Sequence, residues 1–204
     1  MITLHALKFS RATRVLWLLN DLGQPCERID YDRTEAFRAP KDLAAVHPLG
    51  KSPVIEDGGQ VITESATILR YLVDKYGDTD HQPERGTAAF WRHEALLDYV
   101  EASFAEVVLA AVLPAFGGKD VPEPARAALD LHMSYIAGEL DTGPFLCGAG
   151  LTLADIQMSY LLALLERFGF LKTAPRIMAY WQGLQEQPGY IAAVDASGPM
   201  APPG

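Results

Sequence analysis

Residues 50–65 read Gly50-Lys51-Ser52-Pro53-Val54-Ile55-Glu56-Asp57-Gly58-Gly59-Gln60-Val61-Ile62-Thr63-Glu64-Ser65, and this stretch dictates a local shape. Two β-branched pairs, Val54-Ile55 and Val61-Ile62, flank Asp57-Gly58-Gly59. Glycines after an aspartate supply the positive φ that a tight hairpin needs. The stretch is therefore expected to run strand, turn, strand. Glu64-Ser65 then opens a helix carrying Ile68, Leu69, Leu72, Val73 and Tyr76, with Gly77 as its stop. Entry is through Ser52-Pro53, a bond that can be cis and would then turn the Ser52 backbone outward. Short strands that end in polar groups beside a helix N-terminus make a natural place to hold a small polar ligand.

The flanking sequence supplies the rest of a sheet. Residues 2–7 read as a first strand, and Ser10-Arg11-Ala12-Thr13-Arg14 leads into the apolar helix Val15-Leu16-Trp17-Leu18-Leu19. Gly23 stops that helix and Pro25 prevents its resumption. Residues 26–31 fit a second strand, and the charged, Ala-rich residues 32–46 a short irregular helix with a loop. The order β-α-β-α-β-β-α implies a small mixed sheet covered by helices. Composition then changes: residues 78–86 offer almost nothing to bury and read as a linker. The expected division is an α/β domain over residues 1–77, the linker, and an all-helical domain over residues 87–204.

Within the helical domain a long helix is expected from about residue 87 to 113, with Phe90, Trp91, Leu97, Val100, Phe104, Val107 and Val108 inward and Pro114 ending it. Another runs from Pro122-Pro124 to about Leu140. Leu151-Thr152-Leu153-Ala154-Asp155-Ile156 has the form of a capping box, with Thr152 at the N-cap, Asp155 answering it, and Leu151 and Ile156 at the staple positions. A last helix is expected from Pro175 through Trp181, and residues 197–204 as a loose tail.

Composition narrows the function classes. Acidic residues outnumber basic ones 26 to 17, a net charge of -9. Nucleic acid and anionic membrane both demand a basic face, so neither is expected as a partner. The apolar runs are too interrupted to span a bilayer. The first residues lack the basic and apolar regions of a signal peptide, so a cytoplasmic protein is expected. Two cysteines, Cys26 and Cys147, make neither a disulfide framework nor a metal set, and both are expected to be inert. The five histidines show no metal-ligand spacing, so no metal is expected.

Four segments together resemble the cytosolic glutathione S-transferases: residues 10–19, His47-Pro48-Leu49-Gly50-Lys51-Ser52-Pro53-Val54, Glu64-Ser65-Ala66-Thr67-Ile68-Leu69-Arg70-Tyr71-Leu72, and Leu151-Thr152-Leu153-Ala154-Asp155-Ile156. The resemblance covers residues 2 to about 194. It implies a thioredoxin-like N-terminal domain plus an all-α C-terminal domain, glutathione as co-substrate, a small electrophilic acceptor, and a homodimer. It implies that Pro53 is the cis-proline and that Ser52 offers main-chain groups to the cysteinyl part of glutathione. Glu64 and Ser65 match the pair that holds the γ-glutamyl end, and Lys51 a position that contacts the glutathione backbone or its glycine carboxylate. Ser10, four residues before Arg14, occupies the place of the thiol-activating serine, and Arg11 would assist. Arg11 or Thr13 could instead take that role. A Ser before a helix also serves simply as an N-cap. Tyr99, Phe104 and Val108 are candidates for the acceptor pocket, although the same spacing suits a core stripe. The implied reaction is conjugation of the glutathione sulfur to an apolar electrophile. A glutathione-dependent isomerase, reductase or peroxidase would use the same site, and a non-catalytic ligand- or partner-binding protein is the alternative of another class.

Overall fold

The computed structural model of the protein describes residues 1–77 and 80–202. It divides into two compact units, Met1–Asp78 with Gln187–Pro203, and Thr79–Glu186.

The first unit is built on a four-stranded sheet of order β2-β1-β3-β4. Strands β1 (Ile2–Leu7) and β2 (Cys26–Tyr31) pair in parallel, from Ile2 with Cys26 to Leu7 with Tyr31. Helix α1 (Ala12–Asp21) makes the crossover that a parallel pair requires. Strand β3 (Val54–Asp57) runs antiparallel to β1, and β4 (Gln60–Thr63) closes the hairpin with Asp57 opposite Gln60. Gly58 and Gly59, at φ 57° and 82°, fill the two turn positions that need positive φ, as the Asp-Gly-Gly sequence predicts. Helix α2 (Lys41–Val46) precedes β3, and α3 (Ser65–Tyr76) follows β4. Leu4, Val15, Trp17, Leu18, Leu19, Ile55, Ile68, Leu69 and Leu72 are buried and form the core of this unit.

The unit also contains a helix that the sequence pattern does not announce. Helix α9 (Pro188–Ser197) packs along α1, with Tyr190 edge-on to the Trp17 ring at 5.4 Å. Gly189 sits where a Cβ would run into Asp21 Oδ1 and Trp17 Cδ1, so only glycine permits the close approach. The expectation that residues 87–204 form one domain is corrected here for the last helix, which joins the sheet-bearing unit. The tail is not wholly loose either, because Met200 is buried; residues 203 and 204 lie outside the described residues.

The second unit is helical. Of the expected linker, residues 78 and 79 lie outside the described residues, and residues 80–86 form turns, with the His81 carbonyl accepting from Leu153 N–H at 2.9 Å. The long helix anticipated over residues 87–113 is two helices, α4 (Ala88–Tyr99) and α5 (Ala105–Phe116), joined by a π-helical segment, Val100–Phe104. The wider π turn brings residues five apart over one another. Tyr99 and Phe104 therefore stack at 5.9 Å and 8°. Trp91 is exposed, not inward, and α5 continues past Pro114 to end at Gly117. Helices α6 (Glu123–Glu139), α7 (Leu153–Arg167) and α8 (Pro175–Gln185) complete the unit. Helix α7 is buried on all sides from Leu153 to Leu165, which makes it the centre of the unit. The capping box at its start is present as expected. Asp155 also accepts from Leu146 N–H at 2.9 Å and Tyr180 O–H at 2.8 Å, tying two further segments to the same carboxylate.

Candidate functional site

The sequence-expected site residues of the first unit gather at the ends of β1 and β3 and the starts of α1 and α3. Ser52 and Pro53 enter β3 through a cis peptide bond. Pro53 has no N–H to offer β1, and the Ser52 side chain takes over the ladder. Its Oγ donates to the His5 carbonyl at 2.9 Å and accepts from Leu7 N–H at 3.0 Å. The Ser52 hydroxyl is thus committed to the sheet, and its main chain is what remains for a ligand. Lys51, just before it, is exposed.

Ser10 is buried, and its Oγ accepts from Ala12 N–H at 3.1 Å. The N-cap position itself is held by Arg11, so Ser10 serves the first turn of α1 from one residue outside it. Accepting that bond uses a lone pair and leaves the hydroxyl proton available to donate. Arg11, the N-cap residue of α1, is half-buried and its side chain makes no cap hydrogen bond. Thr13 is buried, with Oγ1 3.4 Å from Ser197 Oγ on α9. Its hydroxyl is engaged there.

Glu64 and Ser65 differ sharply in environment. Glu64 is exposed and held at φ 66°, ψ 117°, a conformation that non-glycine residues rarely adopt. Ser65 is buried at the first turn of α3, and its Oγ accepts from Arg14 Nη1 at 3.4 Å. Arg14 is fully buried on α1. It links the helix that follows Ser10 to the helix that starts at Ser65, so the two halves of the site share one side chain. In the sequence Arg14 is only a spacing mark. Its partner lies 51 residues away, beyond any local pattern.

A second organiser is likewise silent in the sequence. Asp57 ends β3 and is buried, and its Oδ2 accepts from Lys75 Nζ at 2.7 Å, Tyr76 O–H at 2.5 Å and Tyr71 O–H at 2.9 Å. Hydrogen bonds from Lys75 and then Tyr76 pull its pKa down to about 2 against the opposing effect of burial. The hairpin is thereby fastened to α3, the helix whose start carries Glu64 and Ser65.

Of the expected acceptor-pocket residues, Tyr99 is half-buried. Phe104 and Val108 are fully buried in the second unit, where they pack its core. The Tyr99 O–H is 2.7 Å from His132 Nδ1, and the Tyr99 ring lies parallel to that imidazole at 5.7 Å. Tyr99 and Phe104 stack on each other and on His132, which ties α4, the π-helical segment and α6 together. Both cysteines are half-buried, and burial raises their thiol pKa values, that of Cys147 to about 11. Burial thus disfavours the thiolate form of both. Among the described residues no group of His, Cys, Asp and Glu side chains could hold a metal ion, and no helix is long and apolar enough to cross a membrane.

Known proteins share this architecture. Residues 1–74 match the profile of the glutathione S-transferase N-terminal domain, and residues 100–188 that of the C-terminal domain. Glutathione S-transferase 3 of Schizosaccharomyces pombe is 34% identical over 176 residues, covering 78% of this chain and 72% of that protein. Human glutathione S-transferase theta-2B is 31% identical over 175 residues, 80% of this chain and 71% of its own. A solved glutathione S-transferase from Actinobacillus pleuropneumoniae superposes with a TM-score of 0.86 at 31% identity, covering 98% of this chain and 94% of that one. With a thioredoxin-like sheet, a helical second unit and relatives at this level of identity, the chain belongs to the glutathione S-transferase family.

Proposed function

We propose that the protein activates the thiol of glutathione at Ser10 and joins the sulfur to an electrophilic, mostly apolar acceptor, acting as a cytoplasmic homodimer. Glutathione is the co-substrate and no metal takes part. Glu64 and Ser65 hold the γ-glutamyl end, the main chain at Ser52-Pro53 meets the cysteinyl part, and Lys51 reaches the glycine carboxylate. Arg11 adds positive charge near the sulfur.

The observation that carries this reading is the state of Ser10. Its Oγ accepts a bond from Ala12 N–H through a lone pair, so its proton can be donated to a sulfur acceptor. A free thiol with pKa ~8.5 is only about 3% thiolate at pH 7. Lowering that pKa by about 2 units requires roughly 2.7 kcal/mol in favour of the charged form. A hydroxyl hydrogen bond to charged sulfur contributes roughly 1.5–3 kcal/mol, and the α1 N-terminus about 0.3–1 kcal/mol. Together they suffice. The thiol proton passes to solvent, and the thiolate forms a carbon–sulfur bond with the acceptor, which keeps the electron pair or sheds it with a leaving group.

Replacing Ser10 by Ala is expected to lower turnover at saturating glutathione at least tenfold while circular dichroism stays unchanged. Unchanged turnover would retire Ser10 as the activating group.

A further inference from the structure

The loop between β1 and α1, residues 8–11, carries the proposed activating hydroxyl and contains a backbone anomaly. Phe9, immediately before Ser10, has φ 54°. Positive φ is uncommon for a bulky side chain. Phe37, in the loop after β2, has φ 58°. With Glu64, these are the non-glycine residues at positive φ among those described. The two phenylalanines lie against each other, their rings 6.3 Å apart and 12° from parallel.

One guanidinium holds both. Arg33 Nη2 donates to the Phe9 carbonyl at 2.7 Å, Nη1 to the Phe37 carbonyl at 3.1 Å, and Nε to the Lys8 carbonyl at 2.8 Å. Its guanidinium carbon sits 4.5 Å from the centre of the Phe37 ring. Lys8 Nζ adds an ion pair to Asp32 at 2.6 Å, next to Arg33 in sequence. The Phe9 carbonyl belongs to the peptide group that joins Phe9 to Ser10. Fixing that peptide plane fixes the Ser10 N–Cα bond, the base from which its side chain leaves the chain. A planar fork with donors at set angles can bind three carbonyls at once, whereas a lysine ammonium is a single point charge.

We propose that Arg33 is the positioning residue for Ser10: by gripping the carbonyls of Lys8, Phe9 and Phe37 it holds the Phe9-Ser10 peptide in the orientation that aims the hydroxyl at the glutathione sulfur. The inference rests on Ser10 as the activating group. Arg33 touches neither the thiol nor the acceptor in this scheme and acts only through the loop.

The test compares Arg33→Ala, Arg33→Lys, Ser10→Ala and the double variant Ser10→Ala/Arg33→Ala. The readout is the pKa of the bound glutathione thiol, from thiolate ultraviolet absorbance and from the pH dependence of kcat/KM with a chlorodinitrobenzene as the probe electrophile. Arg33→Ala is expected to raise that pKa by about one unit, a tenfold loss of rate below it, with the KM for glutathione little changed. Arg33→Lys should behave like Arg33→Ala, because the fork and not the charge is lost. The double variant should match Ser10→Ala alone, as expected of two residues that act through one hydroxyl. A wild-type pH profile in Arg33→Lys, or a further pKa rise in the double variant, overturns the proposal. If Arg33→Ala does not fold, the Arg33→Lys comparison decides the matter. A Ser10→Ala protein with an unshifted thiol pKa would instead refute the functional reading itself, whereas a shifted Ser10→Ala beside a wild-type-like Arg33→Ala refutes Arg33 alone.

Discussion

Replacing Asp57 by Asn tests the carboxylate that fastens the β3–β4 hairpin to α3. Its pKa, drawn from 3.8 to about 2 by Lys75 and the two tyrosines, is also a statement about stability. At 1.36 kcal/mol per unit the shift corresponds to roughly 2.4 kcal/mol. Water reaches the partner ammonium, since the Lys75 side chain is 41% exposed. Screening on that side reduces the contribution to about 1–2 kcal/mol. A group whose folded pKa is depressed stabilises the fold above its unfolded pKa, near 3.9, and loses that contribution as pH falls toward its folded value. The Asn variant has nothing to titrate at this position. Its deficit relative to the wild type should therefore be full near neutral pH and should close between about pH 4 and about pH 2. Urea midpoints of both proteins, measured across that range, give the difference directly, and other acid-sensitive groups cancel. Near neutral pH the melting temperature should drop by about 2–8 °C. A deficit that stays constant down to the lowest pH, or none at all, refutes the assignment of this carboxylate as a charged clamp.

Three further substitutions follow from the geometry. Glu64→Gly should relieve a backbone strain of about 1–3 kcal/mol at a chain-entropy cost of up to about 1 kcal/mol, raising the urea midpoint while calorimetry shows at least tenfold weaker glutathione binding; unchanged stability contradicts the strain. Gly189→Ala should cost about 1–3 kcal/mol through overpacking against Trp17 and Asp21, with faster amide exchange in α1 and α9 and none in α7; uniform protection would show that α9 accommodates the methyl group. Asp155→Ala should cost about 1–3 kcal/mol for each buried donor it strands, among them Leu146 N–H and Tyr180 O–H, against about 0.5–2 kcal/mol for Thr152→Ala; equal losses in thermal unfolding would reduce Asp155 to an ordinary cap.

What is legible in the sequence is local. Asp57-Gly58-Gly59 sets the hairpin, the spacing of Ile68, Leu69 and Leu72 sets the buried face of α3, and Thr152 with Asp155 sets the start of α7, because each signal lies within a few residues. What escapes it depends on distance or on ambiguity. Pro188-Gly189 reads equally as a stop or as a helix start, and only the Trp17 face of α1 decides between them. The π segment shifts the apolar phase by one residue inside a stretch already rich in apolar side chains. Trp91 points outward because the buried face of α4 runs through Phe90, His93 and Leu97, whereas the π segment sets Phe104 against Tyr99 and His132. At the site, Ser10 and Ser65 stand out by position. Arg14 and Arg33, which organise the backbone around them, reach partners 51 and 24 residues away and leave no local trace.

The return of α9 to α1 gives the sheet-bearing unit a delayed completion. During synthesis, residues 1–77 emerge first, yet the surface of α1 around Trp17 and Gly189's eventual seat stays bare until the whole helical unit and then residues 188–197 have been made. Chains fold as they lengthen, and contacts of high sequence separation form last. The second unit is in effect an insertion within the first, so it can reach its native form while the first still waits for its final helix. Its unfolding should be coupled to the same joint: detaching residues 188–197 uncovers Trp17 and opens the core of the sheet-bearing unit, far along the sequence from the strand that starts it.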